Sequence, residues 1–89
     1  MPSPSVHRVT RRASARELIA TNIVVLRRTR GWSQDDLAHE AGLHRTFVAH
    51  VERQVRNIAI DNVEKLARAL GVEVYELLMP HQGAKRAPA

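Results

Sequence analysis

The apolar residues of this chain recur at intervals of three and four rather than two, a spacing that predicts helices and no strand. Glycines interrupt the pattern at positions 31, 42 and 71, and a proline ends it at position 80. Five helices are expected, over about residues 15–30, 34–41, 45–53, 60–70 and 74–79. The predicted fold is all-α, a compact five-helix bundle.

Polar residues at the segment boundaries support these helices. Ser14 and Glu17 have the spacing of a capping box, in which each side chain bonds the backbone amide of the other. Ser33 precedes the second segment, and Asp36 lies in its first turn, where the helix dipole favours a carboxylate. Gly42 can supply left-handed geometry for a short turn between the second and third helices.

The third segment has more polar character than burial alone requires. Val48 and Val51 form its apolar side, and small Ala38 lets the preceding helix cross closely. The remaining residues form a separate stripe at helical spacing: Arg45, Thr46, Ala49, His50 and Arg53. Two helices joined by a short turn with glycine are a helix-turn-helix unit, whose second helix enters the major groove of DNA. The stripe is therefore predicted to read DNA.

The side chains of this stripe suit contacts with base edges. Arg45 can bond guanine O6 and N7 with both arms of its guanidinium, which discriminates between bases by about 1–3 kcal/mol. Thr46 and Ala49 are small enough to approach a thymine methyl group. Two positions of the stripe have an explanation other than DNA contact. An exposed His50 needs no function, and Arg53 can be a helix-end cation that the helix dipole favours.

Charge is distributed unevenly along the 89 residues, which carry a net charge of +5. Residues 1–16 contain four arginines and no acid, whereas residues 17–79 contain eight basic and nine acidic residues. The expected organisation is a flexible basic arm at 1–13, a DNA-binding domain at 14–79 and a disordered tail at 80–89. The arm contains Arg8, Arg11 and Arg12. Binding of these arginines along a DNA groove would be favourable because it releases counterions from the DNA.

Features of catalysis, cofactor binding and metal binding are missing from the sequence. The stretch HEAGLH, from His39 to His44, resembles a zinc protease motif, but it has one residue too many and Gly42 breaks its helix. The chain has no cysteine, and no apolar run approaches the roughly 20 residues that would cross a bilayer. We expect a cytoplasmic protein that is not an enzyme and has no cofactor, membrane or small-molecule partner.

The segment GWSQDDLAHEAGLHRTFVAHVERQVRNIAIDNVEKLARALGV resembles the lambda-repressor-like helix-turn-helix domains (Cro/repressor-type, XRE family), over about Leu18 to Leu78. The run LHRTFV…VER…RNI.IDN.EKLA.AL looks most like the controller proteins of restriction-modification systems. The resemblance implies a transcriptional regulator that binds an inverted-repeat operator in double-stranded DNA, with RNA polymerase as a candidate further partner. Alternatives are an antitoxin- or phage-type repressor and, in a different class, a helical protein-interaction module that does not bind DNA.

The resemblance also implies roles for individual residues. Arg45, Thr46, Ala49 and His50 would face bases, and Gln34, Arg53, Arg56 and Asn57 would face the DNA backbone. Arg27 and Glu52 match an internal ion pair that ties the first helix to the third. One recognition helix reads only a few base pairs, so a homodimer is expected. The apolar surface assigned to its interface is Tyr75, Leu78 and Met79.

Three positions depart from the family pattern. His44 stands where Ser or Asp usually caps the recognition helix, which weakens the start of that helix or adds a contact. The pair Ile58 and Ala59 stands where Pro-Ser is common, so the fourth helix is expected to lack a side-chain cap. Phe47 replaces a frequent tyrosine, and the hydroxyl that could reach a phosphate is lost.

Overall fold

A computed structural model describes residues 13–55 and 57–80. Within these ranges the chain forms five α-helices and no strand: α1 (Ala15–Thr29), α2 (Gln34–Ala41), α3 (Arg45–Glu52), α4 (Ile60–Leu70) and α5 (Val74–Leu77). The predicted all-α, five-helix fold is confirmed. Helices α1 and α3 each end one residue earlier than predicted, and α5 ends two residues earlier. Helix α5 ends at Leu77 with Leu78 as its C-cap, and Pro80 disfavours helical geometry at Met79, so the helix cannot continue to residue 79.

The predicted capping box of α1 is present, and α2 has a capping box as well, where the sequence predicts only a cap at Ser33. Ser14 Oγ accepts a hydrogen bond from the Glu17 amide at 3.0 Å, and Glu17 Oε1 accepts one from the Ser14 amide at 2.8 Å. Ser33 and Asp36 repeat the arrangement at 3.0 and 2.8 Å. The hydrogen bond from the Ser33 amide is the main cause of a lowered pKa for the Asp36 carboxyl.

Helices α3 and α4 begin without a side-chain cap, as the sequence predicts. Their N-cap residues are His44 and Ala59, both in extended geometry, and neither side chain bonds the first turn. The free N–H groups of these first turns are therefore left to solvent or to a bound partner.

The first four helices end in two different ways. Glycines with φ between 71° and 73° follow α1, α2 and α4, at positions 31, 42 and 71. After α3 the left-handed residue is Gln54, with φ of 60°. The amide of Val55 then donates to the carbonyl of His50 at 3.1 Å, which closes the turn as a Schellman motif does. Gln54 thus adopts a backbone conformation that is unfavourable for residues with a Cβ atom and that glycine adopts readily.

The core is aliphatic and draws on all five helices. Its largest fully buried side chains are Ile23, Leu37, Val48, Leu66, Leu70 and Leu77. Helix α3 packs against α1 and α2, while α5 packs against α1 and α4. Both α2 and α1 also contact α4, so α3 is held from behind by two helices that share one core.

Candidate nucleic-acid interface

Helix α3 has one face in the core and one face outward. Val48 and Val51 are buried. The residues predicted to read bases occupy the other side: Arg45 and Thr46 are exposed, and Ala49 and His50 are half-buried. The stripe is thus most open at the start of α3, where Arg45 and Thr46 are available to a partner.

The turn between α2 and α3 fixes the angle at which α3 is presented. Gly42 has φ of 71° and ψ of 34°, and the amide of Leu43 donates to the carbonyl of Ala38 at 2.8 Å. Ala38 itself is only 2% exposed where α2 packs on α3. A larger side chain there would separate the helices, so the small residue and the left-handed glycine together produce the helix-turn-helix geometry.

A buried ion pair holds α3 against α1. Arg27 Nε lies 2.7 Å from Glu52 Oε2, and Arg27 Nη2 lies 3.0 Å from Glu52 Oε1. The two side chains are 10% and 7% exposed. Hydrogen bonding to Glu52 raises the pKa of the Arg27 guanidinium, and its Nη1 also donates to the Trp32 carbonyl at 2.9 Å. This is the contact that the sequence predicts between the first and third helices.

Gln34 lies at the start of α2, close to the C-terminal end of α3. Its Nε2 donates to Glu52 Oε1 at 2.9 Å, so this side chain joins the buried ion pair. An amide nitrogen carries two N–H groups, and the second has no hydrogen-bond partner among the residues that the structure describes. The predicted phosphate contact would use that second group.

The loop after α3 carries the other predicted backbone contacts. Arg53 is an exposed C-cap residue, and Asn57 is exposed as well. Asn57 Oδ1 accepts a hydrogen bond from Arg16 Nη2 at 2.5 Å, a contact that the sequence does not predict. The predicted DNA contacts at Arg56 and at Arg8, Arg11 and Arg12 lie outside the described residues.

The predicted dimer surface is exposed in the monomer. Tyr75 is 66% exposed, Met79 is 41% exposed and Leu78 is 38% exposed. Ile60, which was not predicted to belong to this surface, is 64% exposed and shares with Leu78 and Val74 a groove of about 470 Å³. Exposed apolar area therefore continues from α5 to the start of α4.

A buried asparagine positions this surface and was missed from the sequence. Asn22 is 7% exposed, and its Nδ2 donates to the carbonyls of Leu77 at 2.9 Å and Met79 at 2.7 Å. It thereby ties the end of α5 to α1. The available signal was its place three residues after Ile19 and four before Leu26, on the apolar side of α1, where a polar side chain needs a buried partner.

The described residues show neither a metal site nor a membrane span. Over 13–55 and 57–80, no three His, Cys, Asp or Glu side chains are grouped in a way that could hold a metal ion. In the same ranges no helix has the length and apolar character needed to traverse a bilayer.

Comparison with known proteins matches this arrangement to DNA-binding proteins. Residues 25–77 match the family model HTH_3, described as helix-turn-helix. A hypothetical transcription factor of Neisseria meningitidis serogroup B is 51% identical over 67 residues, which are 75% of this chain and 63% of that protein. This chain thus spans less than two thirds of that relative's length.

Two solved structures of controller proteins have similar folds. The restriction-modification controller protein C.AhdI from Aeromonas hydrophila is 40% identical with a TM-score of 0.66, over 70% of this chain and 90% of that one. The controller protein C.Esp1396I, solved as a tetramer with its natural 35 base-pair operator, is 28% identical with a TM-score of 0.67. That match covers 75% of this chain and 92% of the other.

Proposed function

This chain belongs to the helix-turn-helix family HTH_3, and from that membership we propose that it is a sequence-specific DNA-binding regulator of transcription, of the restriction-modification controller type. The observation that carries the proposal is the stripe of α3, which begins at exposed Arg45 and lies opposite buried Val48 and Val51. In a family whose second motif helix enters the major groove, that stripe is the surface that meets base edges.

The stripe has the chemistry to distinguish bases. Arg45 is the first residue of α3, and the N-terminal residues of a recognition helix are those that contact base edges. Its planar guanidinium fits guanine O6 and N7. Thr46 and Ala49 add no bulk beside it, so the helix can approach closely and touch a thymine methyl group. His50 would then contact a base edge or a neighbouring phosphate.

Polar groups beside α3 would fix the protein on the DNA backbone. Gln34 retains one N–H group for a phosphate, and Asn57 retains both of its own. Arg53 is exposed at the end of α3. Contacts of this kind set the register of the protein on the duplex without reading sequence, which leaves discrimination to α3.

A homodimer would supply the second recognition helix. Tyr75, Leu78, Met79 and Ile60 present exposed apolar side chains at one part of the monomer, and a partner would bury them. Two copies related by a twofold axis require an inverted-repeat operator whose half-sites lie about 34 Å apart, one turn of DNA. Such a regulator works beside the DNA of its cell, in the cytoplasm.

Selection of bound duplexes from a random-sequence pool tests the proposal. The expected product is an inverted repeat, and its affinity for the protein should fall steeply as salt rises because contacts between arginine and phosphate release counterions. Failure to enrich any sequence, together with binding that salt does not weaken, would contradict it. That result would instead fit a helical module that binds other proteins.

A further inference from the structure

One long-range contact joins α1 to the loop that follows α3. Arg16, in the first turn of α1, donates from Nη2 to Asn57 Oδ1 at 2.5 Å, across 41 residues of sequence. Both side chains are exposed. The contact therefore brings a cation from outside the helix-turn-helix unit to the loop where a DNA backbone contact is proposed.

The charge of Arg16 is not neutralised in this position. The salt bridge found over residues 13–55 and 57–80 joins Arg27 to Glu52 and does not involve Arg16. A guanidinium has five N–H donors, and Arg16 uses one of them on Asn57. The neighbouring Glu17 carboxylate accepts from the Ser14 amide in the capping box. Arg16 thus has its charge and four donors available to an anion.

The same hydrogen bond orients the amide of Asn57. Because Oδ1 accepts from Arg16, the two N–H groups of Nδ2 occupy the other branch of the amide and have no partner within the described part of the chain. The Arg16 guanidinium and the Asn57 amide nitrogen are therefore neighbouring donors held by one contact. An oxygen-rich anion can accept from both.

We propose that Arg16 and Asn57 form a joint clamp for one phosphate of the DNA backbone. The clamp rests on the proposed function and extends the DNA-contacting surface from the helix-turn-helix unit onto α1. Arg16 supplies the charge and Asn57 supplies a second donor. Because a phosphate contact carries no base information, the clamp would strengthen binding to all sequences alike.

The salt dependence of binding tests this assignment. The probe is a duplex that the protein itself selects from a random-sequence pool, compared with a shuffled duplex of the same composition. The variants are Arg16→Gln and Arg16→Lys. The matched control is Arg68→Gln, which removes the same charge from an exposed site on α4 beside Glu64 and Glu73.

The plot of log K against log salt has a negative slope, and loss of one phosphate contact should make that slope less steep by about 0.9 for each protomer bound. Per protomer, Arg16→Gln should then lose about 3.5-fold less affinity than the parent protein between about 50 and 200 mM salt. Arg16→Lys should keep the parent slope, and Arg68→Gln should match the parent. The ratio of affinities for the selected and shuffled duplexes should stay the same in all of them.

A double substitution tests whether the two residues share one phosphate. Asn57→Ala and Arg16→Gln should each weaken binding, and the combined variant should lose less than the product of the two separate losses. A full product would overturn the joint clamp, and so would an Arg16→Gln slope equal to that of Arg68→Gln. If the parent protein selects no duplex at all, the proposed function fails instead, so the two failures are distinguishable.

Discussion

Glu52 accepts two hydrogen bonds from the Arg27 guanidinium, at 2.7 Å from Nε and 3.0 Å from Nη2. The same carboxylate accepts a third from Gln34 Nε2 at 2.9 Å. One side chain at the end of α3 is therefore bonded to α1 and to the start of α2. This network holds α3 from behind and leaves Arg45 and Thr46 exposed on its other face.

Replacing Glu52 should destabilise the fold severely. Glu52→Ala leaves the buried Arg27 charge without its carboxylate partner, which costs about 3–5 kcal/mol in comparable pairs. We expect a loss of that size in the free energy of unfolding measured with urea. Glu64→Ala, on the exposed side of α4, is the matched control and should change it by less than about 0.5 kcal/mol. Equal effects of the two substitutions would contradict the role of the pair.

Asp36 should make the stability of the domain depend on pH in the acid range. Its carboxyl pKa is lowered from 3.8, mainly by the hydrogen bond from the Ser33 amide. Since the folded-state pKa lies below the unfolded one, the stabilisation is present above about pH 4 and is lost as the pH falls through the folded value. The variant Asp36→Asn keeps an acceptor and removes the charge. The difference in unfolding free energy between parent and variant should shrink as the solution is acidified, and a constant difference would contradict this.

Gln54 should be replaceable by glycine with a gain in stability. Its φ of 60° costs about 1–2 kcal/mol for any residue with a Cβ atom. Glycine avoids this cost, but it loses more conformational entropy on folding. Gln54→Gly should therefore raise the free energy of unfolding by about 0.5–1 kcal/mol. Gln54→Ala retains the Cβ atom and serves as the control without gain. A loss on Gln54→Gly would show that the Gln54 side chain stabilises the turn.

Leu78 should be required for the dimer. Leu78→Asp places a charge on the exposed apolar surface that includes Tyr75 and Met79, and burial of that charge at an interface would be costly. Sedimentation should show a monomer for this variant and a dimer for the parent. Val55→Asp is the control, because Val55 is 54% exposed but lies in the loop after α3. Loss of the dimer in both variants, or in neither, would place the interface elsewhere.

The features that the sequence predicts well are local ones. Ser14 with Glu17 forms a capping box within one turn, Ser33 caps α2, and Gly42 supplies a left-handed turn at its own position. Each depends on residues a few positions apart. The starts of the five helices and the inward face of α3 follow from the same short-range rules, whereas three of the helix ends do not.

The features that the sequence does not predict depend on long-range packing. Arg16 meets Asn57 across 41 residues, and nothing in either neighbourhood indicates the other. Gln34 was assigned to a phosphate by resemblance alone, and its bond to Glu52 emerges only when α2 and α3 are packed together. Asn22 is an intermediate case. Its apolar neighbours in the sequence indicate that it is buried, but they do not indicate which carbonyl groups accept its hydrogen bonds.

Binding of Arg45→Ala to the selected operator and to single-base variants of it tests the central claim most directly. If Arg45 reads a guanine, the variant should lose about 1–3 kcal/mol of discrimination at one base pair of each half-site, or about 5- to 150-fold in relative affinity. Discrimination at the other base pairs should persist, and Arg68→Ala should change nothing. Unchanged affinity and unchanged preference at every base pair in Arg45→Ala would contradict the assignment of α3 as the recognition helix.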